Sequence, residues 1–353
     1  MFRPSAFRDL VSGRRQDAAA RMLRAGLRAA ETPYTWAVRW RNRRYDRGHA
    51  PIHRVEVPVV SVGNLTLGGT GKTPLVAWLA QWAVDRGLHP AIVSRGYGGA
   101  AGGENDEARE LAQKLPGVPQ YRNADRVAAA REAVAAGAQI IVLDDAFQHR
   151  RLHRDLDIVL LDATEPFGFR HVFPRGTLRE PVDGLRRADV VLLSRADLLP
   201  AEARADILRE VRRWSPQSLW AEVAYSPRSL ISPDGRRRDL DEIKGKAVAA
   251  FCGIGNPAGF RHTLEYCGFR LAGFREFPDH HRYTLSELRA VADWAAGLPA
   301  GAIVCTQKDL VKIPPGEALA LPVWAIAIEP EFLTGRAEIE ARLATPGPAD
   351  LRC

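Results

Sequence analysis

The sequence predicts an α/β fold with a mostly parallel sheet and helices on both faces of that sheet. Two observations lead to this fold class: short aliphatic runs alternate with helical patterns along most of the chain, and the runs are continuously apolar. Continuous apolar runs are typical of strands that helices cover on both faces, and their alternation with helices is typical of parallel connections. A smaller C-terminal α/β domain and a basic N-terminal helical arm complete the prediction.

Eight aliphatic runs are the predicted strands of this sheet. In chain order they are 57–62, 91–94, 140–143, 158–161, 190–193, 248–251, 303–305 and 323–328. In open α/β sheets, ligands bind at the carboxyl ends of the strands. We therefore expect the functional side chains to lie in the loops that follow these runs.

The length suggests about two domains, because 353 residues of 46% hydrophobic composition can bury more than one core. Residues 55–225 are the predicted larger α/β domain, and residues 247–353 are the predicted smaller one. Between them, residues 226–246 carry turn signals and charge with little core pattern, so we predict a linker there.

Residues 1–54 form a strongly basic arm. They hold thirteen arginines and four acidic residues, while the whole chain has a net charge of +8. Apolar positions repeat at helical spacing and tryptophans follow; they are Ala19, Met22, Leu23, Gly26, Leu27, Ala30, Trp36 and Trp40. An apolar stripe with flanking arginines favours an anionic membrane surface as partner. A basic helix packed on the domain and a nucleic-acid arm are the alternatives, although no nucleic-acid-binding motif accompanies the charge.

Several classes of protein are disfavoured by the rest of the sequence. The four cysteines are far apart and form no C-x-x-C pair, which argues against a disulfide framework or a zinc cluster. No run approaches the roughly 18 apolar residues of a spanning helix, and no apolar stretch of a signal peptide is present. We expect a cytoplasmic protein with no obligate protein partner.

The run at 59–62 leads into a glycine-rich segment that is typical of a phosphate-binding loop (P-loop). Glycines let successive backbone N–H groups point at phosphate oxygens, Lys72 can reach the β- and γ-phosphates, and the Thr73 hydroxyl can bind Mg²⁺. The predicted nucleotide-binding residues are Thr66, Gly68, Gly69, Thr70, Gly71, Lys72 and Thr73. The general pattern would place glycine where Thr66 stands, and a glycine-rich turn without ligand is the alternative.

Two acids, Asp144 and Asp145, follow directly on the aliphatic run at 140–143. An acidic strand end beside a phosphate loop is typical of a Mg²⁺ site, because this ion needs only one or two carboxylates beside its waters and the phosphates. Arg95 and Arg126 are candidates to grip a substrate phosphate, together with Tyr97, and His149 is a candidate hydrogen-bonding residue. The alternative is a helix cap for the acids and an ordinary solvated surface for the arginines.

With these segments and several others, the chain resembles the tetraacyldisaccharide 4′-kinases, the lipid A kinases of Gram-negative bacteria. The motifs that carry the resemblance are Val-Gly-Asn at 62–64, Gly-Thr-Gly-Lys-Thr-Pro at 69–74, Ser-Arg-Gly-Tyr-Gly at 94–98, Asp-Glu at 106–107, Asp-Asp-Ala-Phe-Gln-His-Arg at 144–150, Arg-Asp-Leu-Asp-Ile-Val at 154–159, Leu-Arg-Glu-Pro at 178–181, Gly-Ile-Gly-Asn-Pro at 253–257, Phe-Pro-Asp-His-His at 277–281 and Lys-Asp at 308–309. The threonine at position 66 belongs to this family's own version of the phosphate loop.

The resemblance implies phosphoryl transfer from ATP, with Mg²⁺, to the 4′-hydroxyl of a tetraacylated glucosamine disaccharide 1-phosphate. It also implies a peripheral position at the cytoplasmic face of the bacterial inner membrane. The catalytic pair that it implies is Asp106 as base and His280 as its partner, assisted by Lys72, with Glu107 near the metal. Asn64 and Gln148 join Arg95, Tyr97, Arg126 and His149 as implied substrate-contacting residues.

The position of the catalytic pair leads to an expectation about motion. Asp106 and His280 lie on opposite sides of the predicted linker, so closure of the two domains is expected to bring them together. The rival interpretation of the whole chain is a P-loop GTPase or metallochaperone-like NTPase. Ser194-Arg195-Ala196-Asp197 stands where Asn-Lys-x-Asp would recognise guanine, and it lacks the first two residues of that motif.

Overall fold

A computed structural model describes residues 4–96, 106–279, 281–314 and 320–345 of the chain. Its contacts divide the chain into two compact units. The first unit comprises Met1–Gly96, Val118–Ala224 and Pro330–Cys353, and the second comprises Tyr97–Gly117 and Tyr225–Glu329. Each unit is discontinuous in sequence, so neither corresponds to a simple N-terminal or C-terminal half.

The described helices and strands alternate along the chain. The helices are α1 (Pro4–Val11), α2 (Ala18–Asp46), α3 (Lys72–Val84), α4 (Asp106–Lys114), α5 (Arg126–Ala135), α6 (Ala201–Trp214), α7 (Pro257–Tyr266), α8 (Leu285–Ala296), α9 (Gln307–Leu310) and α10 (Arg336–Ala344). The strands are β1 (Val59–Asn64), β2 (Pro90–Ser94), β3 (Gln120–Arg122), β4 (Ile140–Asp144), β5 (Leu156–Asp162), β6 (Val190–Ser194), β7 (Leu219–Ile231), β8 (Arg237–Asp239), β9 (Ala247–Cys252), β10 (Arg270–Glu276), β11 (Ala302–Thr306) and β12 (Val323–Thr334).

The first unit is built on parallel strands in the order β7-β6-β5-β1-β4-β2-β3. Its central strands β1, β4, β5 and β6 are buried along their whole length. Strand β1 lies between β4 and β5, so the loops that follow β1 and β4 leave the same edge of the sheet. This neighbourhood positions the phosphate loop beside the two acids.

Helix α2 forms most of the arm and packs along one side of the first unit. Its buried residues are Ala20, Val38 and Asn42, and the Asp17 side chain caps its first turn by accepting from the Ala20 N–H at 2.9 Å. Glu31 reaches from this helix to the loop at 171–172, where its carboxylate accepts from the Val172 N–H at 2.7 Å. One face of the arm is therefore packed on the first unit, as in the packed-helix alternative. None of the described helices combines the length and the apolar character that crossing a bilayer requires.

The second unit contains a parallel sheet in the order β10-β9-β11-β12. Helices α4, α7, α8 and α9 belong to the same unit. Its buried core has two clusters, one around Val248, Phe260 and Trp324 and one around Phe251 and Leu288. The chain passes between the units at four positions, and two of these lie within β7 and β12.

All eight predicted runs are strands, and the predicted α/β fold class is confirmed. Four strands were not predicted, namely β3, β7, β8 and β10. Strands β3 and β8 have only three residues each, β10 is exposed at both ends and nowhere fully buried, and β7 contains Pro227 and charged side chains. Partly exposed strands lack the continuous apolar run by which the others were recognised.

The segment 226–246, predicted as a linker, is structured. It holds the second part of β7, the short strand β8 and a 3₁₀ helix at Leu240–Glu242. Its turn signals close a hairpin: the Ser232 N–H donates to the Arg236 carbonyl at 2.9 Å, and β7 pairs antiparallel with β8. Turn residues mark a reversal of the chain, and a sequence alone does not distinguish a hairpin from a linker.

Candidate functional site

The phosphate loop connects the buried end of β1 to the first turn of α3. Gly68 has φ +117° and Gly71 has φ +83°, backbone conformations that L side chains rarely adopt. Gly71 is the N-cap of α3 and Lys72 is its first residue. The loop therefore ends at a helix N-terminus, where free N–H groups and the helix dipole favour an anion.

The predicted nucleotide-binding residues lie together in this loop. Thr66, Thr70 and Thr73 are buried, and within the described part of the chain the Thr70 hydroxyl has no hydrogen-bond partner. A Cβ added at Gly68 or Gly69 would meet no atom within 4 Å, so both glycines border open space. The sequence signal and the local geometry thus indicate the same segment.

Lys72 points back toward the ends of β1 and β4. Its Nζ lies 3.3 Å from Asp145 Oδ1 and 3.4 Å from Asn64 Oδ1. The Asn64 amide donates to the Thr66 carbonyl at 2.7 Å, which fixes the start of the loop. Asn64, predicted to contact substrate, thus orients Lys72 and the loop backbone in this structure.

Asp145 has a left-handed backbone conformation, and its carboxylate contacts two cations. Its φ is +51°, in the left-handed region, and Arg179 donates from Nη1 to its two carboxylate oxygens at 2.8 and 2.9 Å. Burial acts to raise the pKa of this carboxyl group, but the charges of Lys72 and Arg179 outweigh it and lower the pKa below 3.8. Asp145 is therefore ionised at neutral pH and engaged by two cations.

Asp144 is the last residue of β4 and is buried. Arg126, also buried, donates from Nη2 to the carbonyl oxygens of Asp144 and Asp145 at 3.2 and 2.9 Å. Arg126 therefore fixes the backbone that carries both acids. A hydrogen bond from Arg126 to a substrate phosphate, as the sequence suggested, would be donated by the other nitrogens of its guanidinium group.

Gln148 and Glu180 link the acid segment to the arm. The Gln148 amide donates to the Asn64 carbonyl at 2.9 Å and to Glu180 at 3.1 Å. Glu180 is fully buried and also accepts from Asn42 at 2.8 Å and from Arg187 at 2.8 and 2.9 Å. A buried carboxylate is tolerated only when it is paired and hydrogen-bonded, and these donors satisfy that condition. The arm helix is thereby tied to the backbone beside the phosphate loop.

Arg195 contacts the phosphate loop from the end of β6, which is separated from β1 by β5. It forms an ion pair with Asp162, and its Nη2 donates to the Gly69 carbonyl at 3.1 Å. It occupies the position where a guanine-reading motif would have lysine. Here the side chain restrains the phosphate loop through a backbone carbonyl.

Asp106 and the residues on both sides of His280 belong to the second unit. The expectation that closure between two domains brings the catalytic pair together was therefore wrong, because the segment 97–117 groups with the second unit. Asp106 is the first residue of α4, and its Oδ2 lies 3.4 Å from the Nζ of Lys312 in the same unit. Its carboxylate is thus paired with a cation that is distant in the sequence.

The remaining predicted residues are only partly described. Tyr97 and His280 lie outside the described residues, as does the side chain of Glu107. Arg95 is exposed and follows β2, and His149 is half-buried directly after Gln148.

The residues at the end of β4 and at the start of α3 fit a magnesium ion by their chemistry. Carboxylate and hydroxyl oxygens are the hard ligands that Mg²⁺ prefers, and Asp144 and Thr73 supply them. Asp145 is engaged by Lys72 and Arg179, and both acids remain candidates for direct contact with the ion. Among the described residues no three His, Cys, Asp or Glu side chains cluster as a complete metal cage. Such a site is typical of a magnesium ion that retains water and shares the phosphates of a nucleotide.

The sequence analysis assigned no role to Arg179, Glu180 or Arg195. Arg179 and Glu180 stand in the Leu-Arg-Glu-Pro motif, which was recognised but not connected with any chemistry. No spacing rule relates that motif to β4, so only the tertiary structure brings Arg179 to Asp145.

Comparisons with known proteins extend over nearly the whole chain. A family model described as LpxK, tetraacyldisaccharide-1-P 4′-kinase, matches residues 23–346. The tetraacyldisaccharide 4′-kinase of Anaeromyxobacter dehalogenans (strain 2CP-C) is 42% identical, with 91% of this chain and 90% of the relative covered. That of Syntrophus aciditrophicus (strain SB) is 40% identical, with 84% and 86% covered. The crystal structure of LpxK from Aquifex aeolicus in complex with ATP has a TM-score of 0.76 at 29% identity, covering 91% of this chain and 98% of that one.

Proposed function

The chain belongs to the tetraacyldisaccharide-1-P 4′-kinase family, and on that premise we propose which residues perform each step of the reaction. The activity is that of a lipid A 4′-kinase, which phosphorylates the 4′-hydroxyl of a tetraacyldisaccharide 1-phosphate. A P-loop GTPase or metallochaperone-like NTPase is not favoured. The observation that carries the assignment to particular residues is the phosphate loop, whose Lys72 lies 3.3 Å from Asp145.

ATP is the phosphoryl donor in this proposal, supported by the relative whose structure was determined with ATP. The loop at 66–73 cradles its phosphates through backbone N–H groups. Lys72 exchanges its contact with Asp145 for the β- and γ-phosphates. A cation already positioned for this task loses little entropy when the nucleotide binds.

Thr73 and Asp144 would hold Mg²⁺, which neutralises phosphate charge when bound. Arg126 keeps the acid-bearing backbone in place, and Arg179 keeps Asp145 ionised. Glu107 remains a candidate for a further ligand. Asn64, Gln148, Arg95, Tyr97 and His149 remain candidates for contacts with the substrate.

Asp106 is the proposed base for the sugar hydroxyl. Its carboxylate accepts the proton of the 4′-hydroxyl as the oxygen–phosphorus bond forms and the bond to the leaving ADP oxygen breaks. The transfer is direct, without a phosphoenzyme, and His280 is the proposed partner of Asp106. General bases of this kind contribute about 10²- to 10⁴-fold to a rate.

The test is a kinase assay with radiolabelled ATP and the disaccharide 1-phosphate in detergent. The protein is expected to label the lipid, and Asp106→Ala is expected to lower kcat about a hundredfold or more. Glu104→Ala, two residues earlier in the sequence, is the matched control for removal of a carboxylate. No labelled lipid would refute the kinase assignment, whereas equal turnover by Asp106→Ala would refute only the base.

The outward face of α2 supports a membrane-surface role for the arm. Met22, Trp36 and Trp40 are 76%, 68% and 53% exposed. At about 100° per residue they fall within roughly 40° of one another, on the side opposite Val38 and Asn42. We propose that this face, flanked by arginines, holds the enzyme peripherally at the cytoplasmic face of the bacterial inner membrane, where a tetraacylated substrate resides.

A further inference from the structure

A fully buried carboxylate, Asp309, lies in the second unit and has no part in the function proposed above. It is 0% exposed. The Gly253 N–H lies 3.1 Å from both of its oxygens, the Tyr283 hydroxyl donates at 3.0 Å and the Thr306 hydroxyl donates at 2.6 Å. The burial of Tyr283, and then the charge of Asp309, raise the pKa of the tyrosine, so its hydroxyl remains a donor. These three donors hold the Asp309 carboxyl group in one position.

Lys312 connects the buried Asp309 to Asp106. Its Nζ lies 3.5 Å from Asp309 Oδ1 and 3.4 Å from Asp106 Oδ2. The Lys312 side chain is only 6% exposed, whereas that of Asp106 is 21% exposed. Asp309, at one end of this arrangement, is therefore buried in the core, and Asp106, at the other end, is partly exposed.

Stability gives little reason to bury such a group. Removing a lysine and a carboxylate from water is costly, and an apolar replacement of similar volume is often equally stable or more so. A lysine that contacts two carboxylates on different elements instead restricts their separation and orientation. Here one carboxylate is immobile, so the restriction falls on Asp106.

Two of the family motifs also meet at Asp309. Gly253 begins the Gly-Ile-Gly-Asn-Pro motif, and Asp309 ends the Lys-Asp motif. A Cβ at Gly253 would lie 2.9 Å from the Tyr283 hydroxyl, 3.2 Å from Asp309 Oδ1 and 3.2 Å from the Pro278 carbonyl. The glycine therefore permits a close approach that includes the backbone two residues before His280.

We propose that Lys312 is a positioning residue of the kinase reaction, which orients the Asp106 carboxylate by tethering it to the buried Asp309. This inference rests on the proposed role of Asp106 as base. Lys312 itself transfers no proton. It fixes the direction from which Asp106 meets the sugar hydroxyl, and a misplaced base loses rate without losing nucleotide affinity.

The test is a double-mutant cycle of Lys312→Met and Asp106→Ala, with steady-state kinetics for ATP and thermal unfolding of every variant. Lys312→Met is expected to lower kcat about tenfold or more while KM for ATP changes less than about twofold. In the Asp106→Ala background, Lys312→Met is expected to have no further effect on kcat, because the group that it positions is gone. Lys244→Met removes an exposed lysine of the same unit and is the matched control.

Two results would overturn the proposal. One is wild-type kcat in Lys312→Met, and the other is an equal loss in both backgrounds, which indicates a structural role. If Lys312→Met does not fold, Lys312→Arg and Lys312→Gln replace it: the proposal requires that the charge-retaining arginine keep a clearly higher kcat than glutamine, and equal values contradict it. Wild-type activity of Asp106→Ala alone would refute the base, which separates that failure from failure of the tether.

Discussion

His149 is a histidine that its surroundings keep uncharged. Burial, and then the positive charges of Arg126 and Arg154, lower its pKa from 6.5 to about 4. Among the described residues its Nε2 has no hydrogen-bond partner, and this atom is buried. A neutral imidazole adds no charge beside the two acids.

The lowered pKa makes the stability of the fold dependent on pH. The unfolded chain binds a proton at His149 below about pH 6.5, whereas the folded chain does so only near pH 4. The stabilisation that the neutral His149 contributes is therefore fully present above pH 6.5 and is lost as the pH falls toward 4. The free energy of unfolding of the wild type should therefore fall between pH 7.5 and pH 5. We expect it to fall less in His149→Gln, measured by urea denaturation.

The control for this measurement is His49→Gln, which replaces an exposed histidine in the loop after α2. It is expected to keep the pH dependence of the wild type. A pH dependence in His149→Gln that is identical to that of the wild type would show that His149 is protonated equally in both states.

At the scale of an element, β1 depends on a close approach at Gly63. A Cβ at this position would lie 2.5 Å from the Phe147 Cβ and 2.6 Å from the Phe147 backbone nitrogen. Phe147 is fully buried and follows the two acids by two residues. The glycine therefore lets the segment that carries Asp144 and Asp145 pack directly on the strand that carries the phosphate loop.

We expect Gly63→Ala to destabilise the protein by about 1–3 kcal/mol, because backbone atoms would have to move to accept the methyl group. Activity should fall with it, since the acids and the phosphate loop would separate. Gly26→Ala is the control: it lies within α2 with nothing within 4 Å of its Cβ, so it should be neutral or stabilise by up to about 1 kcal/mol. Equal thermal midpoints for both variants would contradict this account of β1.

At the scale of the whole molecule, the arm has two faces with different tasks. The inner face is bound to the first unit through Asn42 and Glu31, which contact Glu180 and the loop at 171–172. Deletion of the arm would therefore disturb the fold as well as any membrane contact. Substitutions on the outer face are the sharper test.

We expect Trp36→Ala combined with Trp40→Ala to reduce sedimentation with anionic vesicles several-fold, without a change in the thermal midpoint. Tyr266→Ala, which removes a 77% exposed aromatic side chain from the second unit, is the control. Undiminished vesicle binding by the double variant would rule out this face as the anchor.

Much of the fold could be predicted from the sequence, because local patterns determine it. The eight continuous apolar runs became strands, since such runs can only be buried between covering helices. The glycine-rich segment and Lys72 lead into a helix N-terminus, as predicted, since the glycines and the helical pattern that follows them are contiguous in the sequence. The discontinuous units were not foreseeable, because no local pattern shows that residues 97–117 group with residues 225–329 or that residues 330–353 group with the first unit.

The candidate site likewise has parts that the sequence predicted and parts that it did not. The sequence by itself determined the kinase family, and it predicted the phosphate-binding segment and showed the acids after β4, each of which is a contiguous motif. Only the tertiary structure brought Arg179 to Asp145, Arg195 to Gly69 and Lys312 to Asp106. The physical reason is that an ion pair forms only when two charges lie within a few ångströms of each other. For residues distant in the sequence, this distance depends on the packing of whole elements and not on any local spacing.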